Sequence, residues 1–344
     1  MSLLHSVDRQ PRPEPDVLLD AYRWMVIGHR LERQAAELAG ISRPAATPAN
    51  LARIACQVGA VLALAPSDWL FPTHHDYIAL VTRGVDPLEA LALPWGDWHC
   101  GYAPDTHRVA PQCVPAATQI ARAVGLVSAA RLANDDVAAL VFVRGDAVGE
   151  RDFAEACALA TSWEAPVVLL VQHTFVRHSP FMVESTGEPD VHTMSFPHDL
   201  AERRDSASFV DSTDVLGVFA AVTAALDRAR TEDGPVLLEA LPYRVVTRAG
   251  AGNGGDQVEV EERESDPVAL LEAELREFGV LDDAVVRRVD AEAEAAVADL
   301  RDRLTTEPRP DPAELFDHVY AEPTPQLREQ QALLRTELGP SGKL

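Results

Sequence analysis

Residues 137–146 read VAALVFVRGD, and their pattern indicates the fold class of the chain. Its first seven residues are continuously apolar, which is typical of a parallel strand that is covered on both faces. Two further predicted strands, at 166–171 and 235–241, are separated from it and from each other by helical patterns. This alternation predicts an α/β fold with a doubly wound, mainly parallel sheet and helices on both of its faces.

Helical periodicity predicts most of the remaining elements. Residues 66–76 are predicted to form a loop, and residues 95–112 an irregular segment that crosses the surface. Apolar residues recur at helical spacing in the segments 16–38, 48–64, 77–82, 87–93, 117–132, 151–163 and 214–230. We therefore predict a flexible N-terminal arm over residues 1–15, an α/β domain over residues 16–265 and a charged, helical region over residues 266–344.

The charge of the chain limits its partners. The net charge is −24 and the only lysine is Lys343, so the surface repels nucleic acid and anionic lipid. An acidic, well-hydrated surface is the simplest explanation, and a specific basic partner is the alternative. No apolar run reaches the roughly 18 residues of a membrane span. Residues 1–15 are polar and lack a signal-peptide pattern, so we expect a cytoplasmic protein.

The cysteines and histidines do not follow a known metal-binding spacing. Cys56 and Cys157 lie in apolar helical patterns and are expected to be core residues, not parts of a disulfide framework or a zinc site. The run His74-His75-Asp76 could suggest a metal hydrolase, but no pair of histidines at i, i+4 flanks a glutamate. A histidine-ligated metal enzyme is therefore disfavoured.

Six short motifs follow one another in a fixed order along the chain. They are DWLFP at 68–72, VPAATQI at 114–120, AVG at 123–125, GD at 145–146, DF and EA within 152–156, and APVVLL at 165–170. In this order they resemble the alpha subunit of the thiamine-diphosphate-dependent 2-oxo acid dehydrogenases of the pyruvate and branched-chain type. The resemblance covers roughly residues 20–275 and implies the thiamine-diphosphate-binding fold, with thiamine diphosphate and Mg²⁺ as cofactors.

The pair Gly145-Asp146 is the first candidate site. Ligands of open α/β sheets bind beyond the carboxyl ends of the strands, and a carboxylate there suits a Mg²⁺ ion that bridges a diphosphate. Taken alone, such a pair more often forms a turn closed by an Asx hydrogen bond, and its place within the ordered motifs reverses this preference. The resemblance implies that Asp146 binds the metal together with Thr174, which replaces a family asparagine, and the backbone carbonyl of Val176.

The resemblance also implies the positions that bind the diphosphate. Where the family has Tyr-Arg-Glu, this chain has His74-His75-Asp76, and an arginine-to-histidine change of this kind weakens phosphate binding about tenfold or more. Arg244 matches the second phosphate-binding arginine of the family. Val114 and Ala116 match positions that contact the cofactor through their backbone.

The catalytic positions differ from the family pattern. The family's histidine pair falls on Thr247 and Arg248 in this chain. Arginine stays protonated and does not relay protons, but Arg248 could hold a substrate carboxylate or stabilise developing negative charge. The following loop, residues 249–256, contains no serine, so we predict none of the phosphorylation control known for some family members.

The reaction implied by the resemblance is the oxidative decarboxylation of a 2-oxo acid, pyruvate or branched-chain, with acyl transfer to a lipoyl group. The cofactors would lie between this chain and a beta subunit in an α₂β₂ heterotetramer, and a lipoyl-bearing acyltransferase would be a further partner. The alternative is a structural or regulatory relative of the alpha subunit that has lost cofactor binding.

Overall fold

Within the part of the chain that the structure describes, five parallel strands form the central sheet of the computed structural model. They are β1 (Trp69–Phe71), β2 (Ala139–Arg144), β3 (Val167–Gln172), β4 (Phe209–Asp211) and β5 (Val236–Leu241). The strands are arranged in the order β1-β2-β3-β5-β4, and each neighbouring pair is parallel. Two more strands, β6 (Arg244–Arg248) and β7 (Gln257–Glu261), pair with each other as an antiparallel hairpin.

The helices occur between and around these strands. In chain order they are α1 (Pro15–Leu38), α2 (Pro48–Leu62), α3 (Tyr77–Thr82), α4 (Pro87–Ala92), α5 (Pro104–His107), α6 (Ala116–Leu132), α7 (Arg151–Ser162), α8 (Val215–Thr231), α9 (Pro267–Glu277), α10 (Asp283–Thr306), α11 (Glu314–Asp317) and α12 (Pro325–Leu338). Short 3₁₀ turns occupy Leu93–Trp95 and Gly145–Gly149.

The structure describes most, but not all, of the chain. The described residues are 13–38, 48–95, 101–113, 115–149, 151–173, 209–231, 234–241, 244–248, 257–261, 266–306, 314–317 and 319–338. The chain divides into two compact units, residues 1–300 and 301–344, with α11 and α12 in the second. The predicted division at residues 15 and 265 remains a prediction. Within the described part, no helix has the length and apolar character that crossing a membrane requires.

Local sequence explains where several helices begin. Asp86 caps α4 and accepts a hydrogen bond from the Leu88 N–H at 2.9 Å, and Asp266 caps α9 in the same way through the Val268 N–H at 2.9 Å. Proline occupies an early position of both helices, where its missing N–H costs nothing. Asp214 precedes α8 and accepts a hydrogen bond from the Gly217 backbone N–H at 2.9 Å.

The two faces of the sheet are covered by different helices. Side chains of α6 and α7 join alternate residues of β2 and β3 in one fully buried cluster, as the two-residue period of a strand requires. Helix α8 packs against β3, β4 and β5, and α2 packs against α8. Gly59 permits the α2–α8 contact, because a Cβ there would lie 2.4 Å from the Val215 carbonyl oxygen. The predicted α/β class with a parallel sheet is confirmed.

Three sequence-based expectations need correction. The predicted loop 66–76 contains β1, a buried three-residue strand that pairs with β2 but is too short to show periodicity. The predicted irregular segment 95–112 contains the short helix α5. Strand β4 and the β6–β7 hairpin were not predicted, since short strands between turn residues resemble loops in sequence. The serine-free loop 249–256 lies outside the described residues.

The predicted core positions of Cys56 and Cys157 are confirmed. Cys56 and Cys157 are fully buried in the core, and Cys113 is half-buried. All three are free thiols. Burial raises the pKa of the Cys157 thiol to about 12, which is typical of an inert core cysteine.

Candidate functional site

Polar side chains collect at one edge of the sheet. The segment after β1 carries Thr73 to Asp76, β2 ends at Arg144, and β3 ends at Gln172. Arg144 and Gln172 lie opposite each other in the register of the two strands. Because the strands are parallel, their carboxyl ends meet at the same edge, which is where ligands of open α/β sheets bind.

Asp76 organises the turn that follows β1. One carboxylate oxygen accepts the Thr73 backbone N–H at 2.8 Å and the Thr73 hydroxyl at 2.6 Å. The other accepts the amide groups of Gln57 at 3.0 Å and of Gln172 at 2.9 Å. Asp76 is only 1% exposed. This buried carboxylate therefore joins the turn to α2 and β3, and it fixes His74 and His75 at the edge of the sheet.

Arg144 connects the turn after β1 with the turn after β2. Its Nε donates to Asp146 Oδ1 at 2.9 Å, and its Nη2 donates to Asp146 Oδ2. Its Nη1 lies 2.7 Å from His75 Nε2. The guanidinium thus binds both oxygens of the Asp146 carboxylate. The pair faces solvent, with 41% of the Arg144 side chain and 64% of the Asp146 side chain exposed.

The ionisation states in this cluster follow from its contacts. Desolvation of the ring lowers the pKa of His75 to about 4, and the neighbouring His74, Arg144 and Arg53 contribute in the same direction. His75 is therefore neutral near pH 7, and its Nε2 accepts the hydrogen bond from Arg144. The hydrogen bond from Arg144 holds the pKa of Asp146 below its usual range, so this carboxylate is ionised.

A second pair of polar side chains lies next to Gly145. His173 Nε2 is 3.1 Å from Glu239 Oε2, and Glu239 is only 1% exposed although it lies within the apolar strand β5. A Cβ at Gly145 would lie 2.8 Å from His173 Nδ1. The imidazole therefore packs over Gly145, and any side chain at that position would displace it.

Two buried polar atoms at this edge lack a hydrogen-bond partner in the described part of the chain. They are His74 Nδ1, in the turn after β1, and Gln172 Oε1, at the end of β3. Buried polar atoms are rarely left unsatisfied in folded proteins, and such atoms indicate an unaccounted partner. The Arg144 guanidinium and the Nδ1–H tautomer of His74 can donate to an anionic ligand, whereas Gln172 Oε1 can only accept and therefore calls for a hydrogen-bond donor.

The structure brings together four of the residues that the sequence proposed, namely His74, His75, Gly145 and Asp146. The rings of His74 and His75 are adjacent, with centroids 3.8 Å apart. Of the other proposed residues, Ala116 begins α6. Arg244, Thr247 and Arg248 lie on β6, where they pair with Glu261, Val258 and Gln257 of β7, respectively. Val114, Thr174 and Val176 lie outside the described residues.

Sequence reasoning missed four residues of this cluster. Glu239 and Arg144 could have been found, because each is a charged residue within or directly ending an apolar strand. Gln172 ends β3 in the same way. Asp76 gave a weaker signal, since an aspartate before a helix is most often a simple cap.

Comparison with known proteins identifies the class of this chain. Residues 22–313 match the family model described as the dehydrogenase E1 component, and the chain belongs to that family. This confirms the resemblance drawn from the motifs.

Individual relatives give a consistent result. A 3-methyl-2-oxobutanoate dehydrogenase subunit alpha from Mycobacterium tuberculosis (strain CDC 1551 / Oshkosh) is 31% identical over 322 residues, which is 92% of this chain and 86% of the relative. A pyruvate dehydrogenase E1 component subunit alpha from Acholeplasma laidlawii is 28% identical over 335 residues, 93% of each chain. A 2-oxoisovalerate dehydrogenase subunit alpha from Bacillus subtilis (strain 168) is 25% identical over 330 residues, 88% of this chain and 95% of the relative.

The family depends on thiamine diphosphate, and the edge of the sheet fits the diphosphate part of that cofactor. The Arg144 guanidinium supplies a fixed positive charge, and the buried His74 Nδ1 has no partner among the described atoms. Both features suit phosphate oxygens. The fit to a divalent metal ion on Asp146 is poor, because both oxygens of this carboxylate already bind the Arg144 guanidinium.

A metal ion on Asp146 requires the Arg144 side chain to move away. Displacing Arg144 from this exposed ion pair costs about 0–1 kcal/mol. Keeping the guanidinium about 4 Å from a dication costs more, about 2 kcal/mol in bulk water and about 8 kcal/mol at an effective dielectric constant of 20. Within the described residues, no group of three or more His, Cys, Asp or Glu side chains is arranged to hold a metal ion.

Proposed function

We propose that this chain is the alpha subunit of a thiamine-diphosphate-dependent 2-oxo acid dehydrogenase. The enzyme would decarboxylate pyruvate or a branched-chain 2-oxo acid oxidatively and pass the acyl group to a lipoyl group. The observation that carries the proposal is the family match over residues 22–313, which spans both the parallel sheet and its polar edge. The relatives, which are 3-methyl-2-oxobutanoate, pyruvate and 2-oxoisovalerate dehydrogenase subunits, support the two substrate classes.

The residues at the edge of the sheet would bind the diphosphate end of the cofactor. Arg144 would face the phosphate oxygens with its charge, and His74 would offer the ring nitrogen that lacks a partner among the described atoms. His75, neutral near pH 7, would position the guanidinium rather than add charge of its own. Gly145 has no side chain, which leaves room for the His173 imidazole to pack over the end of β2. Thiamine diphosphate supplies the carbanion-stabilising chemistry when it is bound.

Other parts of the site remain proposals from the sequence. Arg244 would add a second cation toward the diphosphate, and the backbone at Val114 and Ala116 would contact the cofactor. Thr247 and Arg248 lie on the same strand as Arg244. Arg248 would hold the carboxylate of the 2-oxo acid, because a guanidinium binds a carboxylate through two parallel hydrogen bonds.

The expected Mg²⁺ ion is the least supported part of the site. The sequence suggested Asp146, Thr174 and Val176 as its ligands, and Asp146 instead binds Arg144 through both oxygens. We therefore derive no step of the reaction from a metal ion. A beta subunit and a lipoyl-bearing acyltransferase are the proposed partners. The beta subunit would complete the cofactor site in an α₂β₂ assembly.

Co-expression with the beta subunit tests this function. The purified assembly should release heat on titration with thiamine diphosphate and should decarboxylate pyruvate or 3-methyl-2-oxobutanoate. Arg248→Ala should raise the KM for the 2-oxo acid at least tenfold, since a charged hydrogen bond is worth about 1.5–3 kcal/mol. Arg276→Ala is a matched control, because Arg276 pairs with carboxylates on α9 and α10 away from the sheet edge. An assembly that forms normally but neither binds the cofactor nor decarboxylates either acid would support the structural alternative instead.

A further inference from the structure

The unusual feature of this edge is that Arg144 binds both oxygens of Asp146, the carboxylate that was expected to bind a metal ion. Asp146 directly follows Gly145 after β2. This is the position expected for a carboxylate that binds a metal ion bridging a diphosphate. Its two oxygens nevertheless accept hydrogen bonds from Arg144, the last residue of the same strand. The third contact of the guanidinium, 2.7 Å from His75 Nε2, joins it to the segment that replaces the family's Tyr-Arg-Glu.

Two observations and one general property of guanidinium groups make this arrangement a built feature rather than a chance surface pair. The guanidinium contacts two different turns, after β1 and after β2, so its position does not depend on one flexible neighbour. The turn that carries His75 is itself fixed by the four hydrogen bonds of the buried Asp76. The guanidinium is planar and binds a carboxylate or a phosphate in a fixed geometry.

We propose that the Arg144 guanidinium takes the place of the divalent metal ion at this edge, so that the chain binds the diphosphate of its cofactor without Mg²⁺. This inference rests on the proposed function. The ligand class is an organic diphosphate, whose oxygens would accept charge-assisted hydrogen bonds from the Arg144 guanidinium while Asp146 and His75 hold that guanidinium in position. Asp146 thereby changes its role from a metal ligand to a positioning residue.

Calorimetric titration of the co-purified alpha–beta assembly with thiamine diphosphate tests the proposal. We expect the dissociation constant measured in excess EDTA to lie within about twofold of the value in Mg²⁺. Arg144→Ala should weaken binding in EDTA about tenfold or more, as expected for the loss of a charge-assisted phosphate contact. In the same variant, Mg²⁺ should restore part of the affinity, because Asp146 then becomes available to the ion.

Two further measurements separate the possible outcomes. Titration of Mg²⁺ alone should give no site-specific heat with the wild-type assembly and a measurable one with Arg144→Ala. Arg276→Ala, which removes an arginine of similar exposure (38%) that also pairs with carboxylates, should behave like the wild type in every titration. Circular dichroism checks that each variant is folded.

Metal-dependent binding would overturn this inference alone. If EDTA abolishes thiamine diphosphate binding to the wild-type assembly and Mg²⁺ restores it, Arg144 does not replace the metal, while the proposed function stands. Arg144→Ala binding the cofactor as tightly as the wild type in EDTA would have the same meaning. If the wild-type assembly binds no thiamine diphosphate in either buffer, the proposed function fails, and this inference fails with it.

Discussion

Asp76→Asn tests whether the edge of the sheet depends on one buried carboxylate. The substitution keeps the size of the side chain and replaces one acceptor oxygen by an NH₂ group. In the native chain each oxygen of Asp76 accepts two hydrogen bonds, from Thr73 on one side and from the amides of Gln57 and Gln172 on the other. Whichever way the new amide turns, its NH₂ group faces two donors.

The cost can be worked out contact by contact. If the NH₂ group faces the glutamines, Gln172 can flip its amide, because its buried Oε1 has no partner in the described part of the chain. Gln57 cannot flip without loss, since its Oε1 accepts the Ala79 backbone N–H at 3.1 Å. If the group faces Thr73 instead, the Thr73 backbone N–H loses its acceptor. At least one buried donor is therefore left unsatisfied, at about 1–3 kcal/mol, and the loss of charge-assisted bonds brings the total to about 2–4 kcal/mol.

Urea unfolding followed by tryptophan fluorescence measures this loss, and Trp69 on β1 is a buried reporter close to the turn. Asp211→Asn is the matched control. Asp211 also ends a strand and accepts both the N–H and the hydroxyl of a threonine, Thr213, but through a single oxygen that asparagine retains. We expect this control to lose less than about 1 kcal/mol. If Asp76→Asn lowers the free energy of unfolding by less than about 1 kcal/mol, or if both variants lower it equally, the edge of the sheet does not depend on this carboxylate.

Two other predictions concern small residues and thiols. Gly145→Ala would place a methyl group 2.8 Å from His173 Nδ1 and should lower the free energy of unfolding by about 1–3 kcal/mol. Gly125→Ala on helix α6 should raise it by about 0.5–1 kcal/mol, because its new Cβ meets no atom within 4 Å. Denaturant titrations measure both changes, and equal effects would contradict the packing argument. Cys157, with a pKa raised to about 12 by burial, should resist iodoacetamide at pH 8 in the native chain while the half-buried Cys113 reacts, which peptide mass spectrometry can follow. Equal labelling rates would show that the core around Cys157 opens.

The parts of the fold that could be predicted are those with a long, uniform signal. Strand β2 is buried along its apolar part, so its sequence is apolar without interruption, and α8 directly follows an aspartate, a residue type that favours helix starts. Strand β1 has three residues and becomes a strand only through its pairing with β2. Its sequence between two prolines favours a loop, because the decisive hydrogen bonds come from residues about seventy positions away.

The candidate site was predictable in its location but not in its contacts. A glycine and a carboxylate after a buried strand mark the edge where ligands bind, and Gly145 and Asp146 do lie there. The partner of Asp146 depends on which way the Arg144 side chain turns, and spacing in the sequence does not determine a rotamer. His173 and Glu239 meet only because β3 and β5 are neighbours, an order that is decided by the whole topology.

The net charge of the whole chain affects how a diphosphate approaches Arg144. With a net charge of −24, the surface repels an approaching diphosphate and attracts divalent cations weakly at many places. A fixed guanidinium at the ligand-binding edge counters this repulsion locally, and it does so at any concentration of metal ion. A site that relied on Mg²⁺ would instead compete for the ion with the acidic surface. With Arg144 in place of the metal ion, cofactor binding should depend on ionic strength, through screening, but not on the concentration of free Mg²⁺.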